Sequence, residues 1–186
     1  LVWMLVLTQM SVGAFVVERL LNGHMLTPVS GSPIVASGVT RLIHLGAAFA
    51  LGVLGLAAGT LHLGRPLYAF RAILGLRTSW LSREILGFGL FATTSAIYVA
   101  ASVLVSFQLD SSFGFSMPSW LPSAFGNLAM SLGLVAVMTS VMIYVATRRP
   151  MWTLGSTTAK FLSTAILLGL PLSLLISLVA TYLDAH

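Results

Sequence analysis

Five stretches of this chain run for most of a bilayer's thickness without one Lys, Arg, Asp or Glu, and nothing else in the sequence restricts the fold so tightly. They occupy residues 1–17, 42–61, 85–109, 126–147 and 161–183. An α-helix rises 1.5 Å per residue, so about 20 apolar residues cross a hydrocarbon core of ~30 Å. His44 interrupts the second stretch and Pro171 the fifth; membrane helices tolerate proline where neighbours re-satisfy the freed carbonyl. Only 7% of the residues are charged, against about 25% in a soluble domain, too few to cover a surface facing water. The expected fold is all-α: an integral membrane helical bundle of about five transmembrane helices, forming a single transmembrane domain over 1–186. The first run is short and opens at Leu1 in mid-hydrophobic sequence, which reads as a trimmed or partial N-terminus. A signal peptide is the weaker reading, since neither a basic leader segment nor a small-residue cleavage site flanks the run.

Loop charges set an orientation. Successive connections lie on alternate sides, so the second and fourth share one face, which holds Arg65, Arg71, Arg77, Arg83, Arg148, Arg149 and Lys160. Arg19 and Arg41 belong to the other. The positive-inside rule puts the arginine-rich face in the cytoplasm; docking of an acidic partner is the other source of such a bias. The net charge of +5 is not a nucleic-acid footprint, because the basic residues sit at the ends of apolar runs. The absence of cysteine excludes disulfides, thiolate zinc sites, iron–sulfur clusters and cysteine nucleophiles within this chain. In the second run, Ala48–Gly52 and Gly55–Gly59 have the small-xxx-small spacing that lets helices approach closely in lipid, and packing is the reading they support.

The segment from His62 to Glu84 carries the chemistry. Gly64 and Pro66 form a helix stop, and Pro66 then suits the first position of a short interfacial helix containing Tyr68 and Arg71. Ser79 is a plausible N-cap for the next span, and Trp80 fits the interfacial aromatic belt. His62 ends one span and Glu84 begins the next, so a helical hairpin brings both to one membrane face. Ionisable groups at such depth are functional candidates by default, although an interfacial anchor pair has the same spacing. Oxidation of a quinol releases two protons, and an imidazole with a carboxyl group supplies an acceptor for each. Arg65 and Arg83 lie close enough to tune the charge there or to anchor headgroups, and Gln9, among several polar residues within spans, is an extra headgroup contact or a plain packing amide. A bis-histidine haem is disfavoured. His44 and His62 are 18 residues apart on one helix, about 27 Å along its axis, while His24 lies in a loop and His186 at the terminus. His44 reads as a packed or interfacial histidine.

LHLGRPLYAFRAILGLRTSWLSREI, residues 61–85, resembles the signature of the membrane-anchor subunit of bacterial dimethyl sulfoxide reductase. The flanking order is similar too, with Gln9 in the first span and a fourth span running into Tyr144 and the turn Arg148–Arg149–Pro150–Met151–Trp152. The resemblance implies a haem-free anchor, multi-pass in the bacterial inner membrane, that oxidises menaquinol. Such an anchor passes electrons to a four-cluster iron–sulfur subunit, which feeds a molybdopterin catalytic subunit. It places the quinol-site histidine on His62 and the glutamate on Glu84, and implies a family-typical eight helices where this chain supplies about five. It leaves Arg71, Arg77 and Arg83 as residues that dock an acidic partner. The anchor itself is non-catalytic apart from quinol oxidation, and holds no metal. Two other classes compete: a transporter or proton channel, which predicts mid-membrane ionisable residues or broken helices, and a purely structural tether, which predicts that His62 and Glu84 are dispensable.

Overall fold

The computed structural model describes residues 2–22, 38–61, 71, 74–109, 117–118 and 120–184. The described secondary structure comprises five long helices: α1 (Val2–Asn22), α2 (Gly38–Leu61), α3 (Trp80–Ser106), α4 (Trp120–Val145) and α5 (Leu154–Asp184). All five are long and apolar enough to span a membrane. Four of them begin ahead of the apolar runs and α1 ends beyond its run, and each extension has a local cause. Glu18, Arg19 and Arg41 enter α1 and α2 because they find partners inside the bundle. At the start of α3, Ser79 caps the helix by accepting a hydrogen bond from the backbone N–H of Ser82 at 3.3 Å, which satisfies one orphan donor of the first turn. Arg83 and Glu84 therefore lie inside the first two turns. Pro122, within the first turn of α4, costs no intrahelical hydrogen bond. Pro171 sits within α5, which continues through it.

The helices run alternately up and down, with α1 at the centre against α2, α5 and α4, and α3 packed chiefly on α4. Close approach is achieved through missing side chains. A methyl group added to Gly13 would run into the carbonyl oxygen of Ala165, and one added to Gly169 into the carbonyl carbon of Gly13. The α1 and α5 backbones thus touch. The small-residue stripe of α2 meets α1 as the spacing predicts: Gly52 packs on Ser11, Gly55 on Thr8 and Gly59 on Met4. Between the two ends of the bundle lies an apolar core in which Val12, Phe15, Phe88, Phe91 and Val137 are buried, with Phe15 and Phe91 edge to face at 5.6 Å. The outward surface is equally apolar, with Leu167 and Leu178 among many exposed side chains, as expected where lipid is the solvent.

Candidate functional site

The start of α1, the end of α2, the start of α3, the end of α4 and the start of α5 meet at one rim. Glu84, one turn into α3, is buried there, only 4% exposed. Across the interface, the Ser140 hydroxyl of α4 donates a hydrogen bond to Glu84 Oε1. Glu84 opens onto a cavity of about 210 Å³ walled by Met4 and Leu5 of α1, Leu81 of α3, and Ile143 and Tyr144 of α4. Leu5 and Tyr144 also wall a second cavity of about 240 Å³, lined further by Gln9, Trp152 and Lys160. The Tyr144 ring is held by Trp152 at 4.6 Å and Phe161 at 5.4 Å between centroids. Glu84 and Gln9 thus face two chambers that share one aromatic wall.

The other expected site residues divide into three groups. His62 and Arg65 lie outside the described residues, as do most of the residues of the short interfacial helix. The last turns of α2 nevertheless come to the site, for Gly59 packs on Met4, which walls the Glu84 cavity. Arg71 and Arg77 are exposed at the same rim. Arg83 folds back on its own loop: Nε donates to the Leu76 carbonyl at 2.9 Å, Nη2 donates to that of Arg77 at 3.2 Å, and the guanidinium stands over the Trp80 ring at 4.1 Å. Those contacts close the turn into α3, so a docking role for Arg83 competes with them.

At the opposite rim the structure assembles a polar cluster that the sequence reading passed over. Glu18 is fully buried. Its Oε1 accepts from Arg41 Nε at 2.9 Å, and the Tyr98 hydroxyl lies 2.9 Å from both carboxylate oxygens. Arg41 Nη2 donates to the Tyr98 oxygen at 2.8 Å, and Arg19 donates to Asn127 Oδ1 through Nε at 3.0 Å and Nη2 at 2.8 Å. The signal was available: Glu18 and Arg41 flank the first connection just as His62 and Glu84 flank the second, so hairpin geometry pairs them equally. His44 is packed within the bundle, its Nε2 2.8 Å from the Ser173 hydroxyl.

Chemically, the first rim offers a carboxyl group, an amide, a phenol and an ammonium group around apolar walls. Such a lining suits a flat, amphiphilic headgroup with hydrogen-bonding oxygens at its ends. Comparison with known proteins adds a family: the model for the DMSO reductase anchor subunit (DmsC) matches residues 1–185. The chain belongs to that family. With five membrane-length helices, this DmsC-family chain is a multi-pass membrane protein. It is similar to the anaerobic dimethyl sulfoxide reductase chain YnfH of Escherichia coli (strain K12), at 29% identity over 119 residues, 62% of this chain and 37% of the relative. The match thus spans little more than a third of that relative's length. No solved structure matches the chain significantly.

Proposed function

We propose that this chain is a haem-free anchor that binds and oxidises menaquinol at the Glu84 rim and hands the electrons to an iron–sulfur partner of a molybdopterin reductase complex in the bacterial inner membrane. The observation that carries this reading is a buried glutamate, one turn into α3, opening onto a cavity of about 210 Å³. Oxidation breaks two O–H bonds of the quinol. One proton goes to the Glu84 carboxylate and the other to the His62 imidazole, while two electrons leave for the partner's nearest cluster. Arg65 adds a polar contact to the headgroup, and Gln9 lines the neighbouring chamber behind Tyr144, where it meets the part of the quinol that extends past that ring. The end of α2 beside Met4 supports the pairing of His62 with Glu84. The spacing of His44 and His62 supports direct transfer without haem, and the Ser173 contact gives His44 a packing role. Exposed Arg71 and Arg77, joined by Arg148, Arg149 and Lys160, form a basic face suited to an acidic partner.

A channel or transporter is less well supported. Among the described residues no Asp, Glu, Lys or Arg lies between the two rims, the buried His44 is taken up by Ser173, and α5 runs unbroken through Pro171. The test is made in the assembled, membrane-bound complex. His62→Arg and Glu84→Gln should each abolish quinol-linked reduction, while artificial dyes that donate directly to the partner still support turnover. Normal quinol oxidation in both variants would reduce the chain to a structural tether.

A further inference from the structure

Among the described residues two carboxyl groups are buried, Glu18 and Glu84, and they are held differently. Glu18 meets the Arg41 guanidinium through Oε1 and has the Tyr98 hydroxyl within reach of both oxygens. Among the described residues, Glu84 has one hydrogen-bond partner, the Ser140 hydroxyl, and that bond goes to Oε1. A short chain on the facing helix thus holds one oxygen of Glu84, and among the described residues no donor takes up Oε2.

The backbone between α3 and α4 is arranged for this reach. A methyl group on Gly87 would stand 3.3 Å from Cα and Cβ of Ala136, tighter than ordinary van der Waals contact. Gly87 lies three residues after Glu84, and Ala136 four residues before Ser140, so the contact sits one turn from the hydrogen bond on both helices. A serine side chain extends only one atom beyond Cβ, and it reaches a carboxylate across a helix interface only where backbones come this close. Ser140 and Tyr144 are also four residues apart on α4 and share a face. The residue that grips Glu84 and the residue that walls its cavity are therefore presented together.

We infer that Ser140 is a positioning residue for quinol oxidation: by holding Oε1 of Glu84 it fixes the carboxyl rotamer that turns Oε2 toward the cavity. This inference rests on the quinol reading of the same rim and adds to it a residue that never touches the substrate. The step assigned to Glu84 is unchanged, acceptance of one quinol proton by Oε2. What Ser140 supplies is the geometry for that transfer, since proton acceptance requires hydrogen-bond reach before anything else.

The experiment compares Ser140→Ala, Ser140→Thr and Glu84→Gln in the assembled complex, with dye-supported turnover measured beside quinol-supported turnover. Ser140→Ala should lower quinol-linked kcat about tenfold with little change in KM, a loss of orientation and not of binding. Ser140→Thr, which keeps the hydroxyl, should restore most of it, and dye-supported turnover should stay constant throughout. Infrared difference spectra on quinol oxidation should show a carboxyl band that Glu84→Gln removes and Ser140→Ala shifts to higher wavenumber. If Glu84→Gln is impaired while Ser140→Ala is normal, or the band stays in place in Ser140→Ala, the positioning role is wrong and the quinol site stands. Normal quinol turnover in Glu84→Gln would remove the site itself. Should Ser140→Ala fail to assemble, the threonine variant decides: poor quinol turnover in an assembled Ser140→Thr complex would overturn the proposal.

Discussion

Glu18 and Glu84 sit at similar depth from opposite rims, and their surroundings assign them different work. Around Glu18, a guanidinium and a phenol at 2.9 Å leave little hydrogen-bonding capacity, and the group ties α1 to α2 and α3. Removing one partner of a buried ion pair leaves an uncompensated charge, which typically costs 3–5 kcal/mol. Arg41 is a third exposed, so Arg41→Met should cost about 3 kcal/mol, at the low end of that range, read as a lower melting temperature in detergent. Quinol turnover of the remaining folded protein should be normal. Tyr144 offers a sharper functional contrast. Tyr144→Leu would remove the ring held between Trp152 and Phe161 and join the two cavities, raising the quinol KM several-fold. Tyr144→Phe keeps the wall, and steady-state kinetics should find it near wild type. Glu84 was legible in the sequence because it opens a span across a hairpin from His62; Ser140 was not, because a serine in an apolar helix is ordinarily bonded to its own backbone.

At the scale of helices, the contact between α1 and α5 tolerates the least change. Gly13 and Gly169 bring two backbones together with no side chain between them. Gly169→Leu should force the helices apart and cost several kcal/mol, as overpacking of a rigid contact does. Loss of the folded bundle in thermal melts and rapid proteolysis of α5 would register it. The stripe at Gly52, Gly55 and Gly59 was readable because its members repeat along one helix. Gly13 and Gly169 stand in separate runs, and nothing local in either run announces that they meet. The same distinction explains the helix ends. Ser79 marks the start of α3 by its capping chemistry, whereas α1 outruns its apolar stretch because partners on other helices absorb Glu18 and Arg19. Helices that are apolar all round carry no amphipathic stripe to say which face meets which neighbour, so their number and order were legible and their lateral arrangement was not.

For the molecule as a whole, charge divides by face. In chain order, seven cations and Glu84 belong to the rim of the second and fourth connections, a net +6. Arg19 and Arg41 with Glu18, Asp110 and Asp184 belong to the other, a net −1. Because the chain has no cysteine, single-cysteine variants report sidedness cleanly. In right-side-out vesicles a membrane-impermeant maleimide should label Gly38→Cys and spare Arg149→Cys and Lys160→Cys. The reverse pattern would mean that partner docking, and not insertion topology, set the arginine bias.

Along α3, Glu84 and Tyr98 are 14 residues apart, roughly 21 Å of helix, and Val12, Phe15, Phe91 and Val137 fill the interval. Electrically this slab is the dielectric of a capacitor. These side chains carry no titratable group, so a charge at one plate is separated from the other by hydrocarbon.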